Sequence, residues 1–188
     1  MSERELGIAQ SKDCFLVVID VQQRLMSAMP EAVQEPLIRQ VRVLIQASNA
    51  LDIPLAITEQ YPKGLGPTEP ELLSLSPATS TIEKTCFSCA DADDFMSTLR
   101  ASHRRSVILT GMETHICVLQ TALALQAQGF QVFVVEDAVS SRTQENQQNA
   151  LQRLRQAGVI ITNTESVLFE WLADAKHPEF RTLSKLIV

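Results

Sequence analysis

Phe15-Leu16-Val17-Val18-Ile19-Asp20-Val21-Gln22 is a run of five apolar residues that passes, without alternation, straight into a carboxylate. A strand with one wet face alternates apolar and polar residues, so a short unbroken run reads as a strand buried on both faces, the habit of parallel sheets. The same texture recurs at Leu55-Ala56-Ile57, Val107-Ile108-Leu109, Val132-Phe133-Val134-Val135 and Val159-Ile160-Ile161. The weakest strand candidate is Thr79-Ser80-Thr81-Ile82, which makes six in all.

Between the runs lie segments with helical spacing. Leu37, Val41, Leu44 and Ile45 advance by three and four until Leu51-Asp52-Ile53-Pro54, while Cys117 through Ala127 stops at Gly129 and Gln148 through Ala157 stops at Gly158. A further helix runs through Phe95 and Leu99 with Asp91 or Asp93 as its cap, and another runs from Val167 to Ala175. Strands alternating with helices predict an α/β chain: a three-layer α-β-α sandwich around a six-stranded parallel sheet, wound in the Rossmann-like order 3-2-1-4-5-6 with right-handed crossovers. The stretch from Gln60 to Pro77 carries six prolines and glycines and is too long for a plain connector, so it reads as a loop over a site.

The chain has 188 residues, 45% hydrophobic and 20% charged, with a mean hydropathy near zero, which suits one domain over 1–188 with residues 1–12 as a flexible N-terminal arm. Disorder, collagen and small disulfide scaffolds are excluded. A net charge of −6 with scattered acidic residues argues against nucleic acid as a partner. No apolar run approaches the roughly 20 residues that span a bilayer, and Met1-Ser2-Glu3-Arg4-Glu5-Leu6 lacks a leader's pattern, so the expectation is a cytoplasmic protein with no membrane partner. Cys14, Cys86, Cys89 and Cys117 then read as free thiols, ligands or a nucleophile.

Glycine-rich dinucleotide and phosphate loops and the Gly-x-Ser-x-Gly elbow are all missing, and no two of His103, His115 and His177 stand at metal-binding spacing. Neither a metal nor a cofactor is expected. In open parallel sheets ligands bind beyond the carboxyl ends of the strands, where strand order reverses. Asp20 ends the first strand, Lys84 follows the weak strand, and Cys117 opens a helix after the fourth. In the order 3-2-1-4-5-6 strands one and four are neighbours, which brings Asp20 and Cys117 together at the reversal. Taken singly, Asp20 reads equally as a turn residue, Lys84 as a solvated lysine and Cys117 as a small apolar filler. A thiol at a helix start is, however, also one whose thiolate is favoured. Cys86-Phe87-Ser88-Cys89 competes as a redox dithiol or half a metal site. His115, two residues from Cys117, diverges from it by about 200° on a helix and is read as a substrate-contacting or loop-packing residue.

At these residues the chain resembles the isochorismatase-like cysteine hydrolases. The motifs are Val17-Val18-Ile19-Asp20-Val21-Gln22, the Lys84 segment and Gly111-Met112-Glu113-Thr114-His115-Ile116-Cys117-Val118. Glu59 through Gly66, Asp137-Ala138-Val139-Ser140-Ser141-Arg142 and Lys176 through Phe180 are similar to the subgroup of isochorismatase domain-containing proteins. The resemblance implies a catalytic triad of Asp20, Lys84 and Cys117 and a cis peptide at Met112–Glu113. With it go an oxyanion hole from the backbone N–H groups of Glu113 and Cys117, a substrate site touching Gln60, Tyr61, Thr114 and His115, and a homo-oligomer. Nicotinamidases of the family carry an Asp-x-His metal site after the second strand, where this chain has Thr58-Glu59-Gln60-Tyr61 and no histidine. The reaction implied is hydrolysis of a carbon–nitrogen bond in a small amide or carbamoyl compound through an acyl-enzyme. The alternative is a non-catalytic oligomeric binding module that keeps the fold.

Overall fold

The computed structural model describes residues 7–79 and 81–187. Its six strands are β1 (Cys14–Ile19), β2 (Leu55–Gln60), β3 (Thr81–Lys84), β4 (Ser106–Met112), β5 (Gln131–Ser140) and β6 (Ile160–Thr162). They form one sheet in the order β3-β2-β1-β4-β5-β6, and every pairing is parallel. This is the order expected from the sequence.

The unbroken apolar run of β1 is explained by what covers it. Cys14, Leu16 and Val18 face one core, with Leu37, Val41 and Leu44 of α2 (Glu31–Ala50) and Val167, Leu168 and Trp171 of α8 (Thr164–Leu172). Phe15, Val17 and Ile19 face the other, with Phe95 and Leu99 of α5 (Asp93–Ala101), Ala122 and Leu125 of α6 (Leu119–Ala127) and Leu151 and Leu154 of α7 (Gln144–Gln156). Each face of the strand therefore removes three side chains from water, worth about 1.5–3 kcal/mol for each large one.

Several boundaries differ from the sequence reading for local reasons. α7 begins four residues early because Thr143 accepts the N–H of Asn146, and α8 begins early because Asn163 accepts that of Ser166. α8 also stops at Leu172, before Ala175, where Ala173 turns to φ 58°. Neither Asp91 nor Asp93 caps α5; its N-cap is Ala92, and Asp93 and Asp94 occupy its first turn. The weak strand is Thr81–Lys84, so Lys84 is its last residue and does not follow it; Ser80 of the expected strand lies outside the described residues. The stretch from Gln60 to Pro77 holds two short helices, α3 (Pro62–Leu65) and α4 (Pro70–Ser74). The expected N-terminal arm is corrected for its described part. Ala9 is fully buried and its N–H donates to Glu170 Oε2 at 2.7 Å, which ties residues 7–12 to α8; residues 1–6 lie outside the described residues. No described helix is long and apolar enough to cross a membrane.

Candidate active site

The register of the sheet builds the site. Ile19 pairs with Thr58 on one side and with Gly111 on the other, and Gln60 pairs with Lys84. The carboxyl ends of β1 to β4 thus deliver Asp20, Thr58, Gln60, Lys84 and the Gly111 segment to one place. Gly111 is required there: at φ 105° a Cβ on it would stand 2.0 Å from the Ile19 carbonyl oxygen, so only glycine lets β4 lie this close to the end of β1. Asp20 itself turns out of the strand at φ 52°, a left-handed conformation that aspartate tolerates better than most residues.

Both carboxylate oxygens of Asp20 are engaged. Oδ1 accepts from Thr58 Oγ1 at 2.7 Å and Oδ2 from Lys84 Nζ at 2.7 Å, and both side chains of the ion pair are fully shielded from solvent. Lys84 Nζ also donates to Gln60 Oε1 at 2.7 Å and to the carbonyls of Phe87 and Cys86 at 3.3 and 3.4 Å. Burial works to lower the pKa of this ammonium, but Asp20 foremost, with Cys89 and Cys117, outweighs it, and the net displacement is upward. Lys84 is held as a cation.

Cys117 lies where the strand-end rule places it, but not in the first turn of a helix. It sits within a single π-type turn, Thr114–Val118, which precedes α6. The Glu113 carbonyl accepts the N–H groups of Ile116 and Val118 and skips that of Cys117. The expected thiolate is also corrected. The Cys117 thiol is pushed up to about 12, first by burial and then by the charge and hydrogen bond of Asp20, with Lys84 pulling in the opposite direction. The resting site therefore holds a neutral thiol beside a carboxylate–ammonium pair. The Met112–Glu113 peptide is cis, as the resemblance implied.

Two of the four substrate-contact candidates, Gln60 and Thr114, are buried. The amide of Gln60 is committed at both ends, with Oε1 on Lys84 and Nε2 donating to the Thr85 carbonyl at 2.8 Å, so it orients the lysine. Thr114 is fully buried, and its Oγ1 has no hydrogen-bond partner among the described residues. Tyr61 is 54% exposed and His115 partly exposed, so both remain within reach of a ligand. The Tyr61 ring rests on Gly64, where a Cβ would meet it at 2.5 Å. A depression of about 620 Å³ beside the site is lined by Tyr61, Lys63, Lys84, Cys86 and the acidic residues Glu83, Asp91, Asp93 and Asp94, but by neither Asp20 nor Cys117.

Sequence reasoning missed Thr58, which no motif singled out, and the place of Cys89. That thiol is fully buried, 3.9 Å from Thr58 Oγ1, and is pushed up to about 11 chiefly by burial. Its Cys-x-x-Cys partner Cys86 is partly exposed, and both are free thiols. Glu59 accepts from the N–H and Oγ1 of Thr68 at 2.7 and 2.8 Å and so pins the loop over β2. Among the described residues no group of three histidines, cysteines or acids could hold a metal ion.

A doubly wound parallel sheet with an aspartate, a lysine and a cysteine gathered at its switch point defines the class of isochorismatase-like α/β hydrolases. Residues 14–166 match the isochorismatase domain, and the chain belongs to the isochorismatase family. It is 39% identical over 190 residues to isochorismatase domain-containing protein 2 of Xenopus laevis, covering 100% of this chain and 89% of that protein. A structure described as the MAR1 ribonuclease of Caenorhabditis elegans superposes with a TM-score of 0.88 at 37% identity, covering 95% of this chain and 91% of its own. The YcaC gene product of Escherichia coli, described as an octameric hydrolase of unknown specificity, shares the fold with a TM-score of 0.84 at 24% identity and covers 95% of both chains. Nicotinamidase PncA of Bacillus subtilis shares it at 0.66 and 20% identity, over 80% of this chain and 99% of its own.

Proposed function

We propose that the protein hydrolyses a carbon–nitrogen bond in a small amide or carbamoyl compound through an acyl-enzyme on Cys117. The observation that carries this reading is the Asp20 carboxylate, fixed by Lys84 and Thr58 at the strand ends and near enough to Cys117 for its charge to act on the thiol. With the thiol at about 12, attack does not start from a standing thiolate. Asp20 takes the proton as the sulfur–carbon bond forms, the carbonyl π electrons move onto oxygen, and the N–H groups of Glu113 and Cys117 receive that oxyanion. Collapse breaks the carbon–nitrogen bond, and the proton on Asp20 passes to the leaving amine. Water then attacks the thioester with Asp20 as base, and the departing sulfur recovers a proton from the same carboxyl.

The nicotinamidases that share the fold lend support to amide chemistry, and the hydrolase description of YcaC supports hydrolysis in general. The ribonuclease description of the nematode relative is not carried over. An RNA backbone would meet a chain of net charge −6 and a depression walled by four carboxylates beside Lys84. An intact Asp20–Lys84–Cys117 constellation likewise disfavours a non-catalytic module. The octameric relative supports assembly into a homo-oligomer, and four free thiols suit a reducing compartment such as the cytoplasm.

The test is an ammonia-release screen over small amides, ureas and carbamoyl acids, with Cys117→Ala as the control. Turnover above a tenth of wild type in that variant refutes the covalent mechanism.

A further inference from the structure

Glu113 follows the nucleophile's strand directly, and its carboxylate is buried without any part in the Asp20–Lys84–Cys117 cluster. Its side chain is only 6% exposed. Oε1 meets Arg142 Nε at 2.6 Å, while Oε2 lies 3.3 Å from His115 Nδ1 and 3.5 Å from the backbone N–H of Arg142. The sheet arranges this contact. Met112 pairs with Ser140, so the residues just beyond them, Glu113 on one side and Ser141-Arg142 on the other, leave the sheet together. His115 Nδ1 also stands 3.0 Å from Ser141 Oγ.

Serine, histidine and glutamate in contact suggest a second hydrolytic triad, but the geometry forbids one. A relay needs the serine on one ring nitrogen and the carboxylate on the other, whereas here both face Nδ1. The Nδ1 contact with hydrogen-bond geometry is the one to Ser141 Oγ, and Glu113 Oε2 stands beside it at ion-pair distance. The cluster thus lacks the two-sided histidine contact that a relay requires. What it does is grip Glu113 from two sides. Its backbone carbonyl is held as well, by the N–H groups of Ile116 and Val118. Among the described residues, nothing accepts from the N–H of Glu113, which leaves it for a ligand.

We propose that the Glu113 carboxylate, clamped by Arg142 and His115, is a positioning element for catalysis: it fixes the Glu113 N–H where the oxyanion of an acylating substrate forms. This rests on the acyl-enzyme reading given above. Arg142 is 54% exposed, so its ion pair adds little to global stability, and a buried carboxylate kept for so small a return points to local geometry as its use.

Two reagents that share the nucleophile but differ in the need for an oxyanion separate the possibilities. p-Nitrophenyl acetate acylates a thiol through a tetrahedral oxyanion, releasing nitrophenolate. Iodoacetamide alkylates the same sulfur by displacing iodide from a saturated carbon, with no oxyanion. Both rate constants at Cys117 are measured at pH 8 in wild type, Arg142→Ala, Arg142→Lys and Glu113→Gln, with Cys117→Ala as the blank. Loss of one oxyanion donor costs about 10²–10³ in rate, so a donor merely loosened is expected to lower acylation about tenfold. Alkylation should stay within about twofold in Arg142→Ala, and Arg142→Lys should recover part of the acylation, since an ammonium restores charge without the planar guanidinium geometry. Should Arg142→Ala fail to fold, Glu113→Gln, which keeps the shape and removes the charge, decides on the same ratio. An unchanged ratio overturns the proposal, and so does an equal fall in both rates, which would mean displacement of the thiol or of the whole turn. If the wild-type nitrophenolate burst is undiminished by Cys117→Ala, the acyl-enzyme reading itself fails and the positioning role falls with it.

Discussion

Replacing Lys84 with methionine removes the cation from a pair in which neither side chain touches solvent. At 2.7 Å and an effective dielectric of 20 the Coulomb attraction is about 6 kcal/mol, offset by the cost of taking both charges out of water. The net worth of the pair is therefore small, but the loss of one partner is not: it leaves Asp20 charged and unpaired in the interior and strips Gln60 Oε1 of its donor. Lys84→Met is expected to lower the unfolding free energy by about 3–5 kcal/mol, and Asp20→Asn by a comparable amount. The double variant should lose much less than the sum, because each change removes the charge that the other left stranded. Urea unfolding at pH 7 reads all three, with midpoints compared at constant slope. A loss under about 1 kcal/mol in Lys84→Met, or additivity in the double variant, would refute the view that this pair is buried and mutually dependent. Iodoacetamide alkylation adds a second readout. Lys84 pulls the Cys117 thiol downward in pKa, so Lys84→Met should push it higher still and slow alkylation at pH 8.

Three thiols held protonated predict alkaline weakness: Cys14 and Cys117 are pushed to about 12 and Cys89 to about 11, mainly by burial, from a reference of 9.0. A raised folded-state pKa gives stability that is complete below pH 9 and is lost as pH rises toward those values; at pH 10 each thiol costs on the order of 1 kcal/mol, and a melting temperature flat from pH 8 to 10 would contradict it. Gly111→Ala should prevent folding or cost more than about 3 kcal/mol, since a Cβ there falls 2.0 Å from the Ile19 oxygen; a soluble variant with wild-type melting would sink that argument. The two cysteines of Cys86-x-x-Cys89 should behave differently. Cys86→Ser should be silent in stability and activity, whereas Cys89→Ser alters the fully buried packing around Thr58 and should lower both, and equal behaviour of the two would count against this placement.

The β1 run and its five companions carried the architecture, because burial on both faces of a parallel sheet is a property of each strand's own residues and leaves its mark in continuous apolar sequence. Asp20, Lys84 and Cys117 were legible for the same reason: each stands at the carboxyl end of a strand or just beyond it, and the topology fixes where such ends meet. The helix starts were less legible, since Thr143 and Asn163 cap helices whose first turns are polar and carry no apolar period. What the sequence could not hold was anything set by distance between remote residues. The protonation of Cys117 depends on desolvation and on Asp20, 97 positions away, and at these separations both outweigh any pull of a neighbouring helix start on the thiol. The bond of Gln60 to Lys84 shows only once the register places the two opposite each other, and the partners of Thr58 and Arg142 only once the strands beside them are in place. Strand identity and strand-end chemistry are local and periodic, and so are written along the chain; charge state and positioning come from groups that folding alone brings within 3 Å, and only the tertiary structure decides them.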